Sequence, residues 1–183
     1  QIDVELISPY FVPTESGVEA FAWLVRQGVE VKVLTNSLSA TDVAAVHAGY
    51  AKHRQALLES GVILYEMQRN PSQVKRLKRK KRFLGSSGSS LHAKTFSVDR
   101  QHVFVGSFNF DPRSANLNTE LGFVIDSPRL AQRINHAFYD EIPAHAYRVK
   151  TMPNGRVYWT EQQEGGVKTY TNEPNSKLWR RAA

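Results

Sequence analysis

The sequence predicts an α/β fold: a central mixed, mostly parallel sheet with helices on both faces. Three observations predict it. Short apolar runs alternate with longer stretches of helical spacing as far as Tyr65. Turn-bounded, strand-like runs return between residues 91 and 125. The 183 residues are enough for one core and one compact domain.

Residues 4–7 read as a short buried strand ending at Ser8-Pro9. Residues 15–27 have helical spacing, with Val18, Phe21, Ala22, Leu24 and Val25 on one face and Gly28 as a stop. Residues 29–34 alternate apolar and polar as a second strand. Thr41 or Asp42 caps a long helix through Leu58, with Gly61 just past its end. Residues 62–65 form a third strand. Strand, helix, strand, helix, strand at these spacings argues for parallel neighbours covered by helices.

The character then changes. Lys75, Arg76, Lys78, Arg79, Lys80, Lys81 and Arg82 form a basic run within residues 69–82, which hold no acid, and residues 85–90 have a Gly/Ser linker composition. Residues 91–98 and 102–105, joined by Asp99-Arg100-Gln101, read as a hairpin. Residues 121–125 are a further strand. Ser127-Pro128 opens a helix through about Tyr139, with serine as N-cap and proline at the first position. From Pro143 the chain is polar, with turn signals at Pro153-Asn154-Gly155 and Gly165-Gly166, and reads as a small hairpin plus an extended end. Residues 1–142 are expected to form one lobe, and residues 143–183 an extension packed on it.

Composition narrows the chemistry. There is no cysteine, so disulfides, thiolate zinc ligation and thiol nucleophiles are excluded. Lys plus Arg number 24 against 17 Asp plus Glu, and this excess suits anionic partners as well as plain solubility. No run approaches the ~20 apolar residues of a spanning helix. Gln1 is not an initiator methionine, and the chain is expected to be a fragment of something longer.

The chemistry gathers after residue 91. Residues two apart on a strand share a face, so His92 and Lys94 are expected to point the same way from one strand. An imidazole beside an ammonium suits a phosphodiester. The imidazole attacks phosphorus or protonates a leaving oxygen, and the ammonium neutralises non-bridging oxygens. Gly106 allows close backbone approach, and Ser107 and Asn109 add neutral donors. Asp111-Pro112 is expected to start a short helix with further N–H groups. Taken singly, each residue has an ordinary reading, a packed histidine, a solvated lysine or a turn serine. Their combination at fixed offsets is what carries the inference.

His92-Ala-Lys94, Asp99, then Gly106-Ser107-Phe108-Asn109 resembles the motif of the phospholipase D superfamily without a gap. The flanks Ser8-Pro9-Tyr10-Phe11-Val12-Pro13, Gly61-Val62-Ile63-Leu64-Tyr65-Glu66, Asp111-Pro112-Arg113-Ser114 and Asn118-Thr119-Glu120 are similar to the C-terminal half of bacterial cardiolipin synthases of the C type. The resemblance implies a phospholipase D-like lobe and a site shared by two lobes or two subunits. It implies a phosphohistidine on one histidine and proton transfer by the other, with no metal and no cofactor. By position in the second half, it gives His92 the acid/base role, with nucleophile as the alternative. It gives Lys94, Ser107 and Asn109 the phosphate, leaves Asp99 and Gly106 as structural members, and has Glu120 orient the histidine of the opposite lobe.

The implied reaction is phosphatidyl transfer in cardiolipin synthesis, with anionic or zwitterionic phospholipid as substrate and a bacterial, cytoplasmic membrane-associated setting. The alternative is a single-motif nuclease acting as a homodimer. The basic run suits lipid headgroups or a nucleic acid backbone as well as a solvated loop, and with Phe83 as its sole nearby aromatic it favours lipid over nucleic acid. Tyr10 and Phe11 line either the site mouth or the core. His47 and His53, six apart on one helix, are packing or surface residues.

Overall fold

The computed structural model describes residues 2–69 and 91–175. The basic run 75–82, the Gly/Ser stretch 85–90 and the last eight residues lie outside the described residues. The first half runs β1 (Asp3–Ile7), α1 (Glu15–Arg26), β2 (Glu30–Asn36), α2 (Ala44–Glu59) and β3 (Ile63–Met67). The second runs β4 (Thr95–Val98), β5 (His102–Gly106), α3 (Pro112–Asn116), β6 (Gly122–Asp126) and α4 (Pro128–His136). A wide π-type turn (Ala137–Glu141) then leads to α5 (Ile142–His145) and the strands β7 (Ala146–Thr151), β8 (Val157–Gln163) and β9 (Gly166–Tyr170).

One nine-stranded sheet has the order β6-β5-β4-β1-β2-β3-β7-β8-β9. It is mixed and flanked by helices on both faces. Among the described strands, parallel pairing is confined to β1–β2 and β2–β3, whose crossovers are α1 and α2, and the other strand pairs are antiparallel. The first three strands foretold the parallel centre but not the antiparallel wings. The expected small tail hairpin is instead a three-stranded meander. β7 joins it to β3, because Tyr147, Val149 and Trp159 have an apolar face to bury.

Local chemistry explains the helix ends. The Thr14 hydroxyl accepts from the Gly17 N–H, and Gly28 closes the turn after α1 at φ +83°. Ser127 caps α4 as expected, with Pro128 in the first turn. The long helix starts at Ala44, and Val43 precedes it with no side-chain cap, so neither Thr41 nor Asp42 caps it. Asp42 is engaged elsewhere, accepting from the Tyr10 hydroxyl on both oxygens at 2.9 and 3.0 Å.

On one face Phe11, Phe21, Tyr50 and Leu57 pack over Leu6, Val31, Val33 and Leu64. Phe11 is fully buried between the rings of Phe21, Tyr50 and Phe110, so it belongs to the core rather than the site mouth. On the other face Phe138 and Ile142 cover Leu34 and Ala146. Buried charge is paired. Glu5 accepts from Ser97 and Asn135 and lies 3.6 Å from the Lys32 ammonium. Arg54 reaches Glu66 at 3.3 Å and Glu173 at 2.8 Å, and His47 meets the same Glu173 at 3.1 Å. His47 therefore packs and ties the tail to α2.

Candidate active site

Topology brings the motif residues other than Asp99 to one end of the sheet. β4 runs antiparallel to β1, so residues 92–94 lie at the end of the sheet where β1, β2 and β3 finish. β5 runs back to that end and delivers Gly106 and Ser107. β6 starts there, just after Glu120 and Leu121. In sheets with parallel strands this carboxyl end is where loops can carry chemistry.

His92 and Lys94 do not sit on a strand, contrary to the reading of residues 91–98 as one. β4 begins at Thr95, opposite Ile7, the last residue of β1. Beyond Ile7 there is no β1 backbone left to pair with, so residues 91–94 overrun the sheet. Two anchors hold this overrun. The Gly106 N–H donates to the Lys94 carbonyl at 3.2 Å. The Leu91 N–H donates to Asn36 Oδ1 at 3.1 Å, and Asn36 Nδ2 donates to the Leu91 carbonyl at 3.4 Å. The His92 side chain is exposed, and among the described residues no side chain bonds its imidazole.

Gly106 is required by contact. A Cβ there would lie 2.5 Å from the Leu121 carbonyl oxygen and 2.8 Å from the Gly122 Cα, inside any real carbon contact. Ser107 donates its hydroxyl to Glu120 and accepts from the Leu121 N–H at 3.0 Å. Glu120 also accepts from Asn118 at 3.3 Å. Hydrogen bonding, chiefly from Ser107, holds the Glu120 carboxyl below its ordinary range, and the Lys94 charge adds to this. Within this lobe, then, Glu120 is committed to Ser107 and lies in the field of Lys94.

Asn109 is half-buried, and its Oδ1 has no hydrogen-bond partner among the described residues. Its backbone is held on both sides. The Asn109 N–H donates to Ser114 Oγ at 3.3 Å, and the Phe110 N–H donates to the buried Ser8 Oγ at 3.1 Å. The short helix α3 does form after Asp111-Pro112. Its first N–H groups are not free for a ligand, however, because Asp111 Oδ1 accepts from Arg113 N at 2.8 Å and Ser114 N at 3.0 Å.

Asp99 lies at the other end of the sheet, in the β4–β5 turn. It and Arg100 both have φ of 55°, the left-handed pair that a tight hairpin needs. Asp99 Oδ1 accepts from the Asp3 N–H at 3.3 Å, and Arg100 pairs with the Asp3 carboxylate at 2.7 Å. Four strand residues separate it from the site, about 13 Å of rise. Asp99 fastens the turn to β1.

Ser8 and Asn36 were not singled out from sequence. The available signal was polar residues at the ends of strands otherwise apolar: Ser8 follows Leu6-Ile7, and Thr35-Asn36 follow Val33-Leu34. Both are buried, at 1% and 2% exposure.

Residues 1–142 match the family model described as cardiolipin synthase, PLD-like (phospholipase D-like) domain. The chain is 47% identical over 178 residues to cardiolipin synthase C of Escherichia coli K12, covering 97% of this chain and 37% of that protein. It is 34% identical to an uncharacterized protein of Helicobacter pylori J99, covering 97% and 34%. The chain thus spans about a third of the length of these relatives. Among solved structures, Nuc of Salmonella typhimurium, a phospholipase D family member, is similar with a TM-score of 0.58 at 21% identity, over 81% of this chain and 82% of that one. Phosphatidylserine synthase of Haemophilus influenzae Rd KW20 is similar at 0.59 and 18% identity, over 82% and 34%. These two likenesses are likenesses of fold. By the match over residues 1–142, with His92, Lys94, Ser107 and Asn109 gathered at one end of the sheet, the chain belongs to the cardiolipin synthase, PLD-like domain family.

Proposed function

We propose that this chain is one lobe of a two-lobe phosphatidyltransferase that makes cardiolipin-type lipid by exchanging one alcohol for another on a phosphodiester. The observation that carries the reading is the convergence of residues 92–94, Ser107, Asn109 and Glu120 on one sheet end open to solvent. Cardiolipin synthase C of E. coli, similar over 97% of this chain, supports the lipid class.

In this reading the partner lobe's histidine attacks phosphorus, and the bond from phosphorus to the donor alcohol breaks. His92 gives its proton to the departing oxygen. The acceptor alcohol then enters, passes its proton back to His92, and its oxygen displaces the partner histidine from phosphorus. Lys94 and the Asn109 amide stabilise the non-bridging oxygens, where charge builds. Ser107 assists them. The exposed His92 fits a site that a second lobe completes.

The second lobe has a place to dock. β6 forms the edge of the sheet next to the site; Phe123, Val124 and Ile125 are exposed on it and Leu121 just before it. Leu117 and Val105 extend this apolar surface. An uncovered apolar edge strand is a pairing hazard that proteins ordinarily shield. The partner is another PLD-like lobe, from the same polypeptide or a second copy. The substrate places the assembled enzyme at a membrane surface, and among the described residues no helix is long and apolar enough to cross one.

The test is an assay of the full-length protein on vesicles of phosphatidylglycerol and phosphatidylethanolamine, with plasmid DNA in parallel. Cardiolipin formation reduced to a small but measurable residual rate in His92→Ala is expected. DNA cleavage without lipid turnover would overturn the lipid reading in favour of a nuclease.

A further inference from the structure

We infer that Asn36 is a positioning residue for His92: its buried carboxamide replaces the strand that ends beside the site and fixes the backbone from which the imidazole projects. The inference rests on the proposed role of His92 and goes beyond it, because Asn36 is outside the motif and touches no reacting group.

The argument begins with register. β1 leaves the sheet after Ile7, which pairs with Leu34, while β2 runs on to Asn36, which pairs with Met67 of β3. On the far side of β1 the chain enters at Leu91 and first pairs with β1 at Thr95. Between them the ladder is interrupted, and the backbone groups of Pro9 and Leu91 need partners. Asn36 supplies them, since an asparagine side chain carries the same donor and acceptor groups as a peptide unit. Its Oδ1 accepts from Leu91 N at 3.1 Å, and its Nδ2 donates to Leu91 O at 3.4 Å and to Pro9 O at 3.3 Å. One side chain thereby ties the departing β1 loop to the arriving motif segment. Asn36 is 2% exposed, so water does not compete for these bonds.

His92 depends on this clamp because its own ring has no side-chain partner among the described residues. Its placement comes from the backbone, which is held at Leu91 by Asn36 and at Lys94 by Gly106. Removing one of the two anchors lets the segment shift. A misplacement of about 1 Å can cost on the order of 100-fold in rate. Substrate binding has other contributors, Asn109 among them, whose backbone is held by Ser8 and Ser114 instead.

The experiment uses the full-length enzyme and phosphatidylglycerol vesicles. Asn36→Ala is expected to lower kcat roughly 10- to 100-fold and to leave KM for the lipid within about twofold. In a His92→Ala background the same change is expected to add less than about a twofold loss, because a group acting only through His92 has nothing left to position. Asn36→Ser, a smaller side chain that keeps a buried hydroxyl but cannot hold Leu91 at both backbone groups, carries the same test if the alanine variant does not fold. Ser37→Ala, a buried neighbour bonded to Ser39, controls for general loosening of the loop and is expected to keep kcat. Wild-type kcat in Asn36→Ala, or an equal loss with and without His92, would overturn the inference while leaving the role of His92 intact. Full activity in His92→Ala would instead remove the reading on which the inference rests.

Discussion

Glu120 accepts the hydroxyl of Ser107 from its own lobe, thirteen residues earlier in the chain, and the two residues bracket the start of the β5–β6 ladder. A carboxylate that orients the opposite lobe's histidine and one that orients Ser107 behave differently when the charge alone is removed. Glu120→Gln keeps an acceptor for Ser107. We therefore expect Glu120→Gln to retain most activity and Glu120→Ala to lose roughly 10- to 100-fold in kcat, the cost of a misdirected phosphate ligand. Equal losses in the two variants, measured in the vesicle assay, would point to the carboxylate's charge and to the opposite histidine.

Gly106→Ala forces a Cβ to within 2.5 Å of the Leu121 backbone oxygen just before β6, and backbone gives way less readily than the end of a side chain. Overpacking of this kind costs about 1–3 kcal/mol. The urea midpoint is expected to fall accordingly, with activity falling further because β5 delivers Ser107. An unchanged midpoint would mean that the β5–β6 ladder parts without strain.

The exposed edge strand makes a prediction about association. Phe123 and Val124 are 63% and 76% exposed on β6. The isolated chain is expected to self-associate in sedimentation velocity runs, and Phe123→Lys with Val124→Lys to shift it to monomer. In the full-length protein the same pair is expected to impair lobe docking and lower kcat. Unaltered sedimentation and full activity together would show that this surface is not where a lobe sits.

Glu173 links the tail to pH. Burial alone would raise its carboxyl, but the hydrogen bond from His47 and the charge of Arg54 outweigh this and bring it down to about 2. A carboxylate depressed in the folded state stabilises it at pH above the unfolded value and loses that contribution as pH falls through the folded one. From an ordinary 4.5 to about 2, the contribution is on the order of 3 kcal/mol. Stability is expected to decline between roughly pH 4.5 and 2, and Glu173→Gln to flatten that part of the profile in thermal melts. A profile with the same slope in the variant would assign the acid sensitivity to other groups.

Arg54→Met separates pairing from burial at the same place. The guanidinium meets Glu66 and Glu173 while almost wholly buried. Removing it strands Glu66, which is fully buried, although Trp159 still donates to it at 2.9 Å. Breaking a buried pair typically costs about 3–5 kcal/mol. A loss below ~1 kcal/mol in denaturant unfolding would mean that Trp159 suffices.

The sequence by itself determined the class of fold, the helices α1 and α4 and the spacing of the motif. These are local matters: apolar period, a capping serine before a proline, and six residue types at fixed offsets all lie within a short stretch of chain. Tertiary structure decided the rest. That β7–β9 extend the sheet depends on β3 offering an edge to β7, which no local pattern states. That His92 stands beyond the last strand pair depends on where β1 happens to end, some ninety residues away. That α3 caps itself with Asp111, that Glu120 turns to Ser107, and that Asn36 bridges Pro9 and Leu91 all follow from hydrogen-bond groups seeking partners across elements. A buried polar group must be satisfied by whatever the fold places within about 3 Å, and that neighbour is set by topology rather than by the residues beside it in sequence.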